Sequence, residues 1–365
     1  MNLSASQEWL ETDGLGGFAS GTSTGIRTRR YHALLLAATT PPTGRMVLVN
    51  GFDAWIETPA GRFELTSQHY APDVIGGEGA QRIEQFTADP WPRWTFKFED
   101  GTRIEQEILV ARESQVTQVA WRLLGKRKSV RLFVRPFLSG RDYHSLHKDN
   151  PAFRFDATVE GERIIWNPYP GVPAVVALSN GHYQHEPHWY RNFRYAEEAA
   201  RGLDDTEDLA APGVFDFDLA SGDAVLMFTT ADSPALSRKR DLSAVRFADA
   251  VRANEEFRRA EFSSRLHRAA DAYIVNGRNG RTIMAGKGRQ QPYAPRLGAT
   301  EPLWPAHNRF MRLLFRFHNS WLILARQPTV AKLLPNSCTV GLPPPLPALP
   351  PPHKPDCPRL AAHRT

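Results

Sequence analysis

Polar side chains that could do chemistry gather in three stretches of this sequence. The first stretch contributes Glu11, Asp13, Arg27, Arg29, Arg30, Tyr31 and His32. The second contributes Arg141, Asp142, His144, His147 and Asn150, and the third contributes Trp189, Tyr190, Arg191, Glu197, Arg201, Asp204, Glu207 and Asp208. Arginines and aromatic rings have the right chemistry to bind sugar hydroxyls and to stack on sugar rings. Surface ion pairing between the same arginines and acids is the alternative interpretation.

Paired carboxylates are the catalytic chemistry that these stretches offer. A glycosidase places an acid and a base or nucleophile about 5–9.5 Å apart across the bond that it cuts. The acidic runs Glu11/Asp13 and Asp204/Glu207/Asp208 contain enough carboxylates for such a pair. Hydrolysis by these groups is therefore one hypothesis, and ion pairing is the other.

Other site chemistries have less support. His144 and His147 lie three residues apart in a polar stretch with only distant acids, which favours a hydrogen-bonded loop over a metal site. A nucleophilic serine would need a strained G-x-S-x-G elbow, and the sequence offers none. Residues 1–286 contain no cysteine, so that part of the chain has neither a disulfide nor a thiolate metal site.

The glycine-rich stretch in the first cluster resembles a phosphate-binding loop only superficially. Gly14, Gly16 and Ala19 fit the relaxed dinucleotide pattern G-x-G-x-x-G/A. That pattern requires a helix after the glycines, whereas residues 20–25 are poor in helix formers. No acid for a ribose occurs between Asp13 and Asp53. The stretch therefore predicts a turn between strands.

The elements that must position these clusters are strands. Short alternating or β-branched runs occur at RMVLVNGFDAWIE, RWTFKFE, RIEQEILVA, QVTQVAWRLL, VRLFVRPFL, AVVALS and DAVLMFTT. Turn formers separate them and no helical pattern intervenes, which excludes a parallel βαβ sheet. The sequence predicts a mainly β protein, with a large antiparallel β-sandwich over residues 1–233.

After residue 233 the period changes to that of a helix. Leu242, Val245 and Ala248, and then Phe262, Leu266, Ala269 and Tyr273, recur at spacings of three and four. Residues 234–286 are therefore predicted to be a helical linker, with helices packed on the sandwich as the simpler alternative. A linker of this kind would expose its apolar stripe, so cutting the chain near Ser233 is expected to improve solubility.

The last 79 residues differ in composition from the rest. The 365-residue chain has a net charge of +6, but residues 287–365 hold eleven basic and two acidic residues, so the remainder is mildly acidic. The same segment holds 15 of the 29 prolines and both cysteines, Cys338 and Cys357, whose spacing does not favour zinc. Its polyproline character predicts a poorly structured tail. Nucleic-acid binding through this tail would need aromatic platforms or a structured basic face, which scattered arginines do not offer.

The sequence shows neither a membrane-spanning run nor a secretory leader. No stretch of about 18 apolar residues occurs, and the first residues lack a basic start and an apolar run. A soluble, cytoplasmic protein is expected.

Three motifs carry a resemblance to a known family. EWLETDGLGGFASGTSTGIRTRRYHALLL, RDYHSLHKDNP and YRNFRYAEEAARGLDDTEDLAAPG resemble, in this order, the N-terminal domain of bacterial and archaeal glycogen debranching enzymes of the amylo-α-1,6-glucosidase type. The resemblance implies a β-sandwich joined through helices to an (α/α)6 barrel. It also implies hydrolysis of α-1,6 branch points by acid/base attack with inversion, without cofactor or metal.

The resemblance ends near Gly286. In the family, GRTIMAG is followed by an aromatic-rich segment and a Trp-Gly-Arg-Asp-Thr stretch that carries the catalytic acid, whereas here Lys287-Gly288-Arg289 follows. We therefore expect residues 287–365 to be out-of-frame translation and the chain to lack the barrel. No catalytic residue is assigned. An active α-1,6-glucosidase is the alternative, and a nucleic-acid binder is a lesser one.

The resemblance also suggests what the polar clusters contact. On the family's plan they line either the approach of an α-glucan, such as glycogen or limit dextrin, or the interface with the family's own barrel. The expected partners do not include nucleic acid or membrane. The candidate binding residues are Asp13, Arg29, Arg30, Tyr31, His32, Arg141, His144, Tyr190, Arg191, Arg201, Asp204, Glu207 and Asp208.

Overall fold

The computed structural model describes residues 7–233, 235–236, 242–277 and 280–284, and all structural statements below concern these residues. The predicted tail at 287–365 lies outside them. Twenty strands and three α-helices are present in the described residues.

The first half of the described chain contains eleven strands. They are β1 (Glu8–Thr12), β2 (Phe18–Thr22), β3 (Ala33–Thr40), β4 (Thr43–Thr58), β5 (Gly61–Glu64), β6 (Gln68–Tyr70), β7 (Val74–Gly76), β8 (Ile83–Thr87), β9 (Arg93–Lys97), β10 (Arg103–Ala111) and β11 (Val116–Leu123). A 3-10 helix, Gly79–Arg82, precedes β8.

The second half adds nine strands and the helices. The strands are β12 (Arg131–Asp142), β13 (Ala157–Glu160), β14 (Arg163–Trp166), β15 (Val175–Ser179), β16 (His182–Arg194), β17 (Thr206–Asp218), β18 (Ala224–Thr230), β19 (Ile274–Gly277) and β20 (Gly280–Ile283). The helices are α1 (Ala196–Ala199), α2 (Ala244–Ala260) and α3 (Arg265–Asp271).

Two antiparallel sheets form the predicted sandwich. The ten-stranded sheet has the order β1-β2-β3-β4-β12-β17-β16-β6-β7, with β5 paired to β4, and the eight-stranded sheet has the order β13-β14-β15-β18-β11-β10-β9-β8. Each of the seven runs that the sequence singled out falls on a strand and extends beyond it by no more than two residues at either end. The prediction of a mainly β, antiparallel fold is confirmed.

The main core lies between the two sheets. Leu48, Phe52 and Phe215 of the first sheet are in one buried cluster with Trp121 and Leu226 of the second. The rings of Phe52 and Trp121 meet edge to face at 5.4 Å, a preferred arrangement for aromatic pairs. Burial of these side chains supplies the driving force that holds the sheets together.

The glycine-rich stretch forms a turn between strands, as predicted. Gly14 and Gly16 have φ angles of +71° and +103° in the turn from β1 to β2, and β2 follows the turn directly. A Cβ atom on Gly16 would lie 2.5 Å from the carbonyl oxygen of Pro42. Glycine is therefore required here by both backbone conformation and space.

The prediction that the helices after residue 233 leave their apolar stripe exposed is wrong for α2. Ala244, Phe247, Ala248 and Val251 are buried in a cluster with Trp91, Leu109, Val225 and Met227 on the outer face of the eight-stranded sheet. Strand β18 is buried at every position, and its unbroken apolar run is typical of a strand covered on both faces. Helix α2 provides that cover.

The expected stripe was right for Ala248, which is buried, and for Leu242, which packs on the same cluster, but not for its other members. Val245 is 39% exposed, and Phe247 and Val251 are buried instead. Helix α3 buries none of its residues, and Leu266 is exposed. The strands β19 and β20, paired from Ile274↔Ile283 to Gly277↔Gly280, replace the predicted continuation of helix.

Candidate functional site

Three loops bring the polar stretches together. Residues 23–32 connect β2 to β3, residues 143–156 follow β12, and residues 195–205 connect β16 to β17 and contain α1. Because β17 pairs with both β12 and β16, the last two loops start side by side. We refer to residues 29–32, 141–150 and 197–208 as the loop cluster.

Arg30 links all three loops. Its Nη1 donates to the carbonyl oxygen of His144 at 2.6 Å, and its Nη2 donates to the carbonyl oxygen of Asp204 at 2.9 Å. The backbone N–H of Arg30 donates to Oε1 of Glu198 at 3.2 Å. A planar guanidinium with several fixed donors suits such a junction.

The buried centre of the loop cluster is Glu207, which is completely inaccessible to solvent. Arg141 donates from Nε to Oε1 and from Nη2 to Oε2 (3.2 Å) of this carboxylate. Tyr195 donates its hydroxyl to Oε2, the backbone N–H of His147 donates to Oε1 (2.9 Å), and Asn50 donates its amide to Oε2 (3.3 Å). Several donors therefore replace the hydration that the carboxylate has lost.

Burial and charge set the protonation of this centre. Burial is the largest single effect on Arg141 and acts to lower its pKa, but the negative charge of Glu207, the influence of Tyr195 and the hydrogen bonds together raise it. Burial, and then the charge of Glu207, raise the pKa of Tyr195. Arg141 is thus a cation and Tyr195 a neutral donor at neutral pH.

The rim of the loop cluster carries its accessible side chains. The hydroxyl of Tyr31 lies 3.1 Å from Nδ1 of His144, and the two rings meet edge to face. Arg29 pairs with Glu8 at 2.5 Å and with Glu197 at 3.0 Å. Arg201, which is exposed, pairs with Glu197 at 3.5 Å. The ion pairs predicted as the alternative are therefore present in this region.

Other candidate residues have structural roles in or beside the loop cluster. His32 is buried and accepts at Nδ1 from the backbone N–H of Thr28 at 3.1 Å. Asp208 accepts from the backbone N–H groups of Asn192 (2.8 Å) and Asp149 (3.2 Å). The side chain of Asp149 pairs at 2.5 Å with Arg191, which is exposed.

Asp13 and Tyr190 point elsewhere. Asp13 accepts at Oδ1 from the backbone N–H groups of Leu15 (2.7 Å) and Gly17 (2.9 Å), and burial raises its pKa to about 6. The ring of Tyr190 packs on Phe137, and its hydroxyl accepts from Arg135 at 3.1 Å. Sequence proximity thus grouped residues that the fold places in different surroundings.

The structure adds members that sequence reasoning did not select. Tyr195, Glu198 and Asn50 all donate to or accept from the arginines and acid at the cluster's centre. Glu198 is buried and follows Glu197 in the same motif. The sequence shows this acidic pair, but it does not indicate which of the two glutamates is buried. Asn50 lies in β4, and its sequence context gave no signal.

The carboxylates of the two acidic runs are mostly engaged by the protein itself. Glu11 accepts from Nη2 of Arg259 of α2 at 2.5 Å. Asp13, Glu207 and Asp208 accept the bonds described above, while Asp204 is exposed. Among the described residues no group of three or more His, Cys, Asp or Glu side chains is arranged to hold a metal ion. His147, considered as a metal ligand, hydrogen-bonds to Tyr169 at 2.6 Å.

Residues 7–226 match the sequence family described as glycogen debranching enzyme N terminal. This match covers more than half of the chain. The chain belongs to this family. The matched residues contain the whole ten-stranded sheet, the loop cluster and the eight-stranded sheet as far as the first three residues of β18, while α2 and α3 lie beyond them.

Two solved structures are similar to this chain. A bacterial glucoamylase complexed with acarbose is similar over 74% of this chain and 37% of its own, with 9% identity and a TM-score of 0.36. A protein described as a kojibiose phosphorylase from the human microbiome is similar over 58% of this chain and 28% of its own, with 13% identity and a TM-score of 0.28. The chain thus spans about a third of the length of these proteins. A comparison with curated protein sequences gave no match.

None of the helices in the described ranges has the length and apolar character needed to span a bilayer.

Proposed function

We propose that this chain is a non-hydrolytic N-terminal portion of a glycogen-debranching protein, and that it contacts α-glucan through the rim of the loop cluster. The observation that carries the proposal is the junction at Arg30. This residue holds the 23–32, 143–156 and 195–205 loops in one place. Family membership supplies the substrate class, and the junction holds polar side chains of the three loops next to one another.

The rim has the chemistry that a glucan requires. Tyr31 is partly exposed and offers a ring edge and a hydroxyl, and His144 beside it offers a further polar ring. Arg201 and Asp204 are exposed on the third loop and offer donors and acceptors for sugar hydroxyls. Rings combined with planar polar groups fix the orientation of a bound ligand.

The engagement of the acids supports a binding role rather than hydrolysis. An inverting glycosidase needs an acid and a base that face each other across the sugar. Glu207 accepts hydrogen bonds from Arg141 and Tyr195, and Asp208 accepts hydrogen bonds from backbone N–H groups. A carboxylate held in this way would have to break those bonds before it could act on a sugar.

Glycogen binding is tested by affinity electrophoresis of the full 365-residue chain in gels that contain glycogen. We expect retardation of the unaltered chain. The double variant Tyr31→Ala/Arg201→Ala should weaken binding about tenfold, because losing a stacking ring and a hydrogen bond costs on the order of 1–2 kcal/mol. Arg131→Ala is the matched control: Arg131 is exposed and pairs with Asp216 on β17, outside the loop cluster.

Hydrolysis is tested separately, by glucose release from branched limit dextrin. We expect none from the purified chain. Glucose release that is lost in Asp13→Asn or Asp208→Asn would instead support an active α-1,6-glucosidase. Absence of glycogen retardation would count against the glucan contact and favour a domain interface for the rim.

A further inference from the structure

Arg27 is a buried cation without a carboxylate partner in the described part of the chain. Only 8% of its surface is exposed. Its Nη2 donates to Oε1 of Gln68 at 3.2 Å, and its guanidinium lies over the rings of Phe193 (4.6 Å) and Phe137 (5.6 Å). Its Nη1 is buried and has no hydrogen-bond partner. A buried Nη1 group without a partner lowers the stability of the protein, because burial removes the water that would solvate it.

Arg27 lines a cavity of about 70 Å³. The walls combine apolar side chains, among them Trp9, Phe52 and Trp94, with polar ones such as Ser20 and Thr22, and no aspartate or glutamate occurs among the described residues that line it. One water molecule needs about 10–15 Å³ by the same measure. The cavity therefore has room for several small species beside the guanidinium.

The neighbouring acid does not balance this charge. Glu207 lies behind Asn50, which lines the cavity and donates to its Oε2 at 3.3 Å. However, both oxygens of Glu207 already accept from Arg141. A second carboxylate, Asp53, accepts from the cavity-lining Thr66 at 2.5 Å. Neither acid forms an ion pair with Arg27 in the described part of the chain, so Nη1 of Arg27 has no anionic partner there.

We propose that this cavity binds a small halide-class anion, such as chloride, against Nη1 of Arg27. The polar walls select against a polyoxyanion, because their hydroxyl groups already donate hydrogen bonds to other protein groups. Ser20 donates to the carbonyl oxygen of Tyr31 (3.1 Å), Thr22 to that of Ile26 (2.7 Å), and Thr66 to the carboxylate of Asp53 (2.5 Å). Phosphate needs donors for several oxygens, whereas a halide needs few and tolerates aromatic walls.

A water molecule accompanies the anion. Oδ1 of Asn50 is buried and unpartnered, and an acceptor needs a donor rather than an anion. The cavity volume accommodates both species. The route inward lies at Thr24 and Gly25, which line the cavity and are partly exposed and exposed respectively. This site is independent of the glucan surface proposed above.

The experiment measures the thermal midpoint of the full chain at constant ionic strength, as gluconate is replaced stepwise by chloride. We expect a saturable rise of about 3 °C, because a ligand that binds only the folded state stabilises it. Arg27→Met should abolish the rise. Arg131→Met, which removes an exposed arginine that lies over Phe133 at 5.2 Å, should retain it.

A second measurement locates the ion directly and does not depend on a variant that folds. Crystals of the unaltered chain soaked in bromide should show an anomalous peak within about 3.5 Å of Nη1 of Arg27. Ordered water alone at this position, or equal midpoints in gluconate and chloride, would overturn the proposal. A rise produced by phosphate but not by chloride would overturn the assignment to halides.

Discussion

Arg141 and Glu207 form a buried ion pair with two hydrogen bonds, between the end of β12 and the start of β17. Only 4% of the arginine side chain and none of the glutamate side chain is exposed. A buried charge that loses its partner is far more costly than an exposed one. The pair is therefore the place where the loop cluster is most sensitive to substitution.

Glu207→Gln should destabilise the protein by about 3–5 kcal/mol, because it leaves Arg141 buried without a counter-charge. Denaturant unfolding measures the change. Arg191→Met is the matched control, since its pair with Asp149 is exposed by 56% and 32% and should contribute about 1 kcal/mol or less. The double variant Arg141→Met/Glu207→Leu should recover part of the loss, and equal costs for Glu207→Gln and Arg191→Met would contradict a special role for the buried pair.

Asp13 should make the protein more stable as the pH falls. Burial raises its pKa from 3.8 to about 6, so the folded state binds a proton that the unfolded state still lacks between these values. Stability contributed by this group is therefore gained as the pH falls from about 6 to 4, by on the order of 3 kcal/mol. The free energy of unfolding of the unaltered chain minus that of Asp13→Asn should rise as the pH is lowered from about 6 to 4. A difference that stays constant from pH 4 to 7 would show that Asp13 titrates normally.

His147 should have the opposite effect. Burial lowers its pKa below the ordinary 6.5, with Nδ1 placed 2.8 Å from the carbonyl oxygen of Asp208 and Nε2 placed 2.6 Å from the hydroxyl of Tyr169. Below about pH 6.5 the unfolded state takes up a proton first, so stability is lost as the pH falls. Relative to His147→Gln, the unaltered chain should lose stability between pH 7 and 5. A relative gain over that range would refute the assignment.

Phe247 of α2 should be essential to the sandwich, whereas Phe257 of the same helix should not. Phe247 is buried on the eight-stranded sheet and Phe257 is 70% exposed. Phe247→Ala should cost about 3–5 kcal/mol, and Phe257→Ala should change stability by less than about 0.5 kcal/mol. Thermal and denaturant unfolding of both variants provide the comparison.

Truncation after Ser233 gives a second readout of the same contact. It would uncover the apolar cluster of Trp91, Leu109 and Met227, so the shortened chain should be less soluble and should bind more of a hydrophobic dye. Improved solubility would restore the original expectation that these helices do not belong to the sandwich.

The sequence by itself determined the fold class, the family and most strand positions. RIEQEILVA coincides with β10, and DAVLMFTT differs from β18 by one residue, because alternation and turn formers are local properties of the chain. The glycine turn was also predictable. Its glycines are visible in the sequence, and the residues that follow them are poor in helix formers.

The tertiary structure decided what the polar residues do. Glu207 and Asp208 are adjacent in sequence, but Glu207 forms an ion pair with Arg141, whereas Asp208 accepts hydrogen bonds from backbone N–H groups. Arg27 and Arg141 are both buried arginines, yet only Arg141 reaches a carboxylate. Partner and burial depend on strand pairing between residues far apart in the sequence, 66 positions for Arg141 and Glu207, and such contacts leave no periodic signal along the chain.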